Sequence, residues 1–293
     1  MSSLVLTPGR TSHISDGLAV RRLLPSMPVR SVGPFVFLDH MGPARLPPGT
    51  DSDVDGHPHI GLATVTWLFE GRLVHRDSLG TVQEITPGAL NWMAAGSGIV
   101  HSERTHPDDA PHERTLHGLQ LWVALPPALM AMAPSFQHAS ADELPVTQAD
   151  GARVTVLLGE AFGLRSPVGT WSPTLYLDVR LEAGATWMLP PLEAELAIYS
   201  PLDALWVGDE QVPACTLVKL PAGECVDVRA VGPGPAHWVV IGGEPPPVPL
   251  RLWWNYVATD RDTLREAALR WQAGGFPSIP GETRIVPGPA WRD

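Results

Sequence analysis

The sequence has only two cysteines, Cys215 and Cys225, among its 293 residues. That number excludes a disulfide scaffold and a zinc site built from cysteine thiolates. The two cysteines flank a Pro/Gly turn, so a hairpin can bring them face to face. We interpret them instead as two reduced thiols in the core, as expected in a reducing compartment.

Lysine is nearly absent, since Lys219 is the only one among 20 basic residues, and the net charge is −11. An acidic chain without a basic run binds nucleic acids and membrane surfaces poorly, so we expect no direct contact with either. No apolar run reaches the ~20 residues that span a bilayer, and residues 1–24 lack the pattern of a secretory signal. We therefore expect a monomeric, cytoplasmic protein.

Proline and glycine are abundant, with 32 and 28 copies, and they divide the chain into short segments. Segments rich in β-branched and aromatic residues recur between these turn signals. Short strands at such spacing predict an all-β protein, a sandwich or a barrel. The clearest strand candidates are 36–38, 63–69, 73–75, 83–85, 119–125, 154–158, 174–181, 194–199, 215–220 and 238–241.

One segment near the C-terminus has helical periodicity. Between Asp260 and Gln272, apolar residues recur at i, i+3, i+4 and i+7, Thr259 or Asp260 can cap the start, and Gly274-Gly275 ends the pattern. This predicts a short amphipathic C-terminal helix.

The chain also predicts two similar β domains. Residues 85–89 and 220–224 both place a strand end before a tight turn, and residues 125–150 carry few strand signals. We place an N-terminal domain at 1–135 and a C-terminal domain at 150–293. Of the 11 histidines only His237 follows residue 138, so chemistry is expected in the first domain.

Two pairs of polar residues share an i, i+2 spacing in predicted strands: His57 with His59, and His101 with Glu103. Residues two apart on a strand face the same side, ~7 Å apart, so each pair can point into a barrel. A His-x-His pair alone is more often two loop histidines. Two such pairs, about four strands apart, indicate one metal site.

Imidazoles and a carboxylate are borderline-to-hard ligands, suited to Fe(II), Mn, Ni, Cu or Zn. Because no thiolate is in the set, a closed structural zinc site is disfavoured. Four ligands would leave two octahedral positions free for a substrate and O2.

The chain resembles the pirin family of the cupin superfamily. The resemblance covers most of the chain and is strongest in the first domain, where it includes the His-Pro-His of 57–59 and the Gly-Ser-Gly-Ile-Val-His-Ser-Glu of 96–103. Further matching segments are 33–40, 64–71, 77–80, 87–88 with 92–93, 119–123 and 253–258.

This resemblance implies a bicupin fold, two β-sandwich barrels in tandem, with a metal-free second domain. Many cupins take a glutamate a few residues after the His-x-His pair, but positions 62–64 here hold Leu, Ala and Thr. The pirin arrangement uses a later glutamate instead. It implies one metal, most often Fe(II), held at four positions: His57, His59, His101 and Glu103.

Two functions follow from the resemblance. Some bacterial pirins are metal-dependent dioxygenases that cleave the flavonol quercetin with O2, with Glu103 here as the candidate general base. Other pirins are metal-dependent regulators that bind a transcription factor or a metabolic enzyme. The sequence leans towards the enzyme, with a small aromatic or enolic substrate, and leaves the regulator as the alternative.

Other residues near the matched segments are interpreted mainly as structural. His40 and His75 are more often satisfied structural or surface residues than parts of a site. His117 is a weak candidate for the site, and Trp67, Trp92 and Trp122 are more often core. Pirins commonly carry arginine where this chain has Ile60, so we expect a less positive pocket mouth.

Overall fold

The structure, a computed structural model, describes residues 4–15 and 18–292. In this part of the chain the strands up to residue 149 are β1 (Val5–Pro8), β2 (Arg10–Ser15), β3 (Leu18–Leu24), β4 (Phe35–Leu46), β5 (Val54–His59), β6 (Leu62–Glu70), β7 (Leu73–Asp77), β8 (Val82–Ile85), β9 (Leu90–Ala94), β10 (Ile99–Thr105), β11 (Arg114–Ala124), β12 (Ser135–Ala139) and β13 (Val146–Ala149). A short 3₁₀ turn, Pro127–Leu129, precedes β12.

The later strands are β14 (Ala152–Leu158), β15 (Glu160–Ala161), β16 (Leu164–Arg165), β17 (Thr174–Leu181), β18 (Thr186–Leu189), β19 (Glu195–Tyr199), β20 (Leu205–Val207), β21 (Glu210–Val212), β22 (Thr216–Lys219), β23 (Val226–Ala230), β24 (Ala236–Gly243), β25 (Arg251–Trp253) and β26 (Tyr256–Ala258), followed by the helix α1 (Arg261–Gln272).

The first barrel consists of two sheets. The smaller has the order β5-β10-β7-β8 and the larger β12-β9-β6-β11-β4-β3-β2. Leu68, Leu73, Ile85 and Leu116, from strands of both sheets, meet in one buried cluster. Apolar side chains therefore close part of the barrel interior and leave the rest to polar residues.

The second barrel repeats this plan with the sheets β18-β23-β20-β21 and β1-β22-β19-β24-β17-β14-β13. Its interior is filled by aliphatic side chains around Trp187 and Trp238, whose ring centroids lie 6.1 Å apart. These residues form a packed apolar core of the kind that stabilises a domain.

The chain divides into two compact units that interleave along the sequence. One contains residues 1–11, 21–40 and 139–245, and the other 12–20, 41–138 and 246–293. The chain passes from one unit to the other between residues 138 and 139, which is between the domains predicted at 1–135 and 150–293. The bounds of those two domains stay a prediction. The C-terminal segment 246–293 belongs to the unit with the first barrel.

The predicted C-terminal helix is confirmed. Asp260 caps α1 by accepting a hydrogen bond from the Thr263 backbone N–H at 2.8 Å, and Leu264, Ala267 and Ala268 are buried. With 12 residues, it is the only α-helix among the described residues and is too short to cross a bilayer.

The interpretation of both cysteines as core thiols is wrong. Cys215 is half-buried and Cys225 is exposed, and both are free. Cys225 lies between the turn at Gly223 and β23, where the chain runs along the surface.

Candidate metal centre

Strands β5 and β10 bring the two polar pairs of the sequence together. The strands are antiparallel, and His101 lies directly opposite His57. The ring of His101 lies 4.3 Å from that of His57 and 5.0 Å from that of His59. One nitrogen from each ring falls within 4.8 Å of the others, so these three histidines can hold a metal ion.

Backbone carbonyls orient two of the three rings. His57 donates its Nδ1–H to the carbonyl of Asp55 at 2.8 Å, and His59 donates its Nδ1–H to that of Asn255 at 3.0 Å. A carbonyl only accepts, so in these bonds Nδ1 carries the proton and Nε2 keeps its lone pair. This is the usual arrangement of metal-binding histidines.

The nitrogens that remain fit a divalent cation. Nε2 of His59 lies 3.1 Å from Nε2 of His101, and Nδ1 of His101 is buried without a hydrogen-bond partner. Two nitrogens bound at ~2.1 Å to one ion at a right angle are also about 3 Å apart. The donor set and its spacing therefore suit a metal better than a network of hydrogen bonds.

Burial keeps these imidazoles neutral. Desolvation lowers the pKa of His57 to about 4, and it lowers the pKa values of His59 and His101 well below the ordinary range. A neutral imidazole has a lone pair for a metal, so near neutral pH the three rings are ready to bind.

Glu103 lies beside the three histidines. Its side chain is 14% exposed, and its Oε1 is 3.8 Å from Nδ1 of His101. Burial raises the pKa of Glu103 to about 7, although Arg104 opposes the shift. The register of β10 with β5 shifts between His101 and Glu103, so Glu103 falls outside the tight group of three. Its role as fourth ligand stays a prediction.

Two family models match the chain: Pirin over residues 17–123 and the Pirin C-terminal cupin domain over residues 176–277. The chain belongs to the pirin family. A pirin-like protein of Caulobacter vibrioides is 41% identical and covers 87% of this chain and 88% of its own length. Human (Homo sapiens) pirin is 35% identical, with 86% of both chains covered.

A solved structure resembles this pirin closely. The crystal structure of quercetin 2,3-dioxygenase from Acinetobacter baumannii matches with a TM-score of 0.91 and 36% identity, over 99% of this chain and 96% of that one. The predicted bicupin fold is thereby confirmed.

The pirin contains a second buried pair that the sequence interpretation did not favour. His75 on β7 lies opposite Glu103, with its ring 5.3 Å from that of His101. It donates Nε2–H to the fully buried carboxylate of Asp77 at 3.0 Å. The signal was present in the sequence, because His75 and Asp77 have the same i, i+2 spacing as the other two pairs.

The expected effect of Ile60 on the charge of the pocket mouth stays a prediction. Because neighbouring residues on a strand face opposite sides, Ile60 points away from His59. It packs with Tyr256, Leu264 and other apolar residues of the C-terminal segment. It also lines a cavity of about 370 Å³ next to α1, together with Met130 and Arg270.

Two of the remaining candidates, His40 and His117, contact residues other than the three histidines. Tyr199 and His40 are buried and joined by a 2.7 Å hydrogen bond between Oη and Nδ1. His117 packs its ring 4.7 Å from Phe69, at the end of β6. Of the tryptophans, Trp122 reaches the site, with its ring edge-on 5.1 Å from that of His59.

Proposed function

We propose that this pirin is an Fe(II)-dependent dioxygenase that cleaves the ring of a flavonol such as quercetin with O2. The observation that carries the proposal is the cluster of three buried, neutral imidazoles whose free nitrogens converge. The likeness to quercetin 2,3-dioxygenase from Acinetobacter baumannii supports the choice of reaction.

The residues His57, His59 and His101 would hold the metal, with Glu103 as the fourth ligand. Fe(II) suits nitrogen donors with one carboxylate, as Mn, Ni, Cu and Zn also do. The ion supplies a Lewis acid that stabilises the deprotonated 3-hydroxyl of the flavonol. In the overall reaction two ring C–C bonds break, both oxygen atoms enter the ester product, and one carbon leaves as CO.

The protein's own groups prepare this chemistry. The carbonyls of Asp55 and Asn255 keep His57 and His59 in one tautomer, so the ligands do not reorganise on binding. Glu103, next to His101, takes the proton of the substrate hydroxyl as a general base. Trp122 offers an aromatic wall beside His59 for a planar substrate.

The test is O2 uptake and CO release by the iron-loaded protein with quercetin. We expect turnover that falls at least about 100-fold in His101→Ala and is unchanged in His112→Ala, where the exposed histidine lies outside the site. If both variants and the wild type consume no O2, the enzyme proposal fails. The regulator alternative predicts that result, and protein partners, monomeric state and cytoplasmic location stay predictions.

A further inference from the structure

Two carboxamide side chains, Asn91 and Gln120, lie on one inner row of the first barrel. In the larger sheet Asn91 on β9 pairs with Thr66 on β6, which pairs with Gln120 on β11. Thr66 donates its hydroxyl to Oε1 of Gln120 at 2.8 Å, so their side chains lie on the same face of the sheet.

At one end of this row, Trp122 lies between Gln120 and the candidate metal centre. Gln120 and Trp122 are two residues apart on β11 and therefore face the same side. The Trp122 ring lies 5.1 Å from the ring of His59. Gln120 thus faces the barrel interior that contains the histidines.

The other end of the row leads to the same centre by a separate path. Asn91 accepts a hydrogen bond from Nδ1 of His138 at 2.7 Å, and Phe136 is two residues earlier on β12. The Phe136 ring stacks 4.7 Å from the ring of His75, which lies 5.3 Å from that of His101. Both ends of the row therefore face the histidine cluster.

Both amides have N–H groups that none of the hydrogen bonds described above uses. Asn91 is 3% exposed, and its Nδ2 is buried without a hydrogen-bond partner. A buried N–H group without a partner is unfavourable, so a ligand oxygen or an ordered water that accepts from Nδ2 would be stabilised there. Gln120 is half-buried and accepts from Thr66 with Oε1, so the donors it can offer a ligand are those of its NH2 group.

We propose that Asn91 and Gln120 position the substrate by donating hydrogen bonds to oxygen atoms on the part of the molecule remote from the metal-bound enol. This inference rests on the proposed function and adds the substrate feature that is recognised: a hydroxyl or carbonyl oxygen on an outer ring. A substrate with such oxygens satisfies the amides, whereas a bare aromatic ring leaves them unpaired.

The experiment compares quercetin with 3-hydroxyflavone, which has the same enol but lacks the hydroxyls of the outer rings. Dissociation constants are measured by tryptophan fluorescence in iron-loaded protein without O2, and KM and kcat are measured in air. The variants are Gln120→Met and Asn91→Leu. The matched control is Gln211→Met, at an exposed strand position of the second barrel.

We expect each variant to raise Kd and KM for quercetin by roughly tenfold, the size of one lost hydrogen bond. Values for 3-hydroxyflavone and kcat should stay within about twofold, as should the iron content. A purely structural role would weaken both flavonols alike and overturn the proposal. So would unchanged constants, or a wild type that does not prefer quercetin.

The two proposals fail in different ways. If the wild type binds quercetin selectively through these amides but consumes no O2, the dioxygenase proposal falls and the positioning role stands. If the wild type consumes O2 and the variants keep its preference for quercetin, the positioning role falls and the dioxygenase proposal stands.

Discussion

His59 donates its Nδ1–H to the backbone carbonyl of Asn255, 196 residues further along the chain. The next residues extend this contact, because the Val257 N–H donates to the Ile60 carbonyl at 3.1 Å. On the other side of the His-Pro-His segment, Gly56 donates to Arg284 and accepts from Val286. The C-terminal segment thus holds the strand of the His-Pro-His segment at both ends.

A substitution at Gly61 tests whether the C-terminal segment supports the candidate metal site. It has φ +70°, and a Cβ there would clash with the carbonyl oxygen of Val257. Gly61→Ala must therefore push the C-terminal segment away from β5 and disturb the bond from His59 to Asn255. We expect metal affinity, measured by chelator competition, to fall roughly 10–100-fold, as for other losses around metal ligands.

The matched control is Gly49→Ala. Gly49 has a similar φ of +74° but no atom near the position of a Cβ. It should lose about 1–2 kcal/mol of stability from backbone strain alone and keep its metal affinity. Equal metal affinity in the two variants would show that the C-terminal segment does not set the site.

The strand pairs of the metal site were predictable because their signal is local. The i, i+2 spacing of His57 with His59 fixes which face they share, and a second pair at this spacing about four strands later, His101 with Glu103, indicated a single site. The same parity rule, applied to Ile60, places it on the face opposite to His59.

The support from Asn255 was not predictable. A backbone carbonyl has no side-chain signature, and its place depends on a fold in which segment 246–293 returns to the first barrel's unit. The unpaired Nδ2 group of Asn91 was hidden for a similar reason, since only the folded structure shows which buried N–H groups lack a partner.

The proposed fourth ligand is tested by Glu103→Gln. Glu103 is the carboxylate beside His101, and its replacement keeps the shape but removes the charge that attracts a cation. We expect metal affinity to fall roughly 10–100-fold, against loss of binding in His101→Ala. The exposed Glu113→Gln should bind as the wild type does. An unchanged affinity in Glu103→Gln would leave a site of three histidines only.

Asp77→Asn tests the buried pair of His75 and Asp77 next to the candidate metal centre. The buried carboxylate accepts from His75 at 3.0 Å and from the backbone N–H groups of Leu79 and Thr81 at 2.9 and 3.0 Å. The oxygen of the new amide can still accept from Leu79 and Thr81, but its NH2 group then faces the Nε2–H of His75, so the free energy of unfolding in urea should fall by about 1–3 kcal/mol. Asp209→Asn, in an exposed turn, should change it by less than about 0.5 kcal/mol. Equal stability of both would contradict this role of Asp77.

An ion pair fastens the C-terminal segment beside the site. Arg104, next to Glu103, binds Glu282 through Nε and Nη2 and also binds Asp55 at 2.6 Å. Burial is the largest influence on the pKa of Glu282 and raises it, but the hydrogen bonds from Arg104 and Ser102, together with the charges of Arg104 and Arg76, outweigh burial and hold the pKa below its ordinary value of 4.5. A carboxyl group with a lowered pKa stabilises the fold above its unfolded pKa, and this contribution disappears as the pH falls through the folded value.

Glu282→Gln should therefore be less stable than the wild type at pH 7, by about 2 kcal/mol, the scale of a hydrogen bond to a charged group. The difference should shrink below pH 4.5 and vanish once Glu282 is protonated in the folded wild type. Urea unfolding of the metal-free proteins at several pH values measures it. The exposed Glu224→Gln should match the wild type at each pH. A stability difference for Glu282→Gln that does not change with pH would mean that shape, and not the charge on Glu282, fastens the segment.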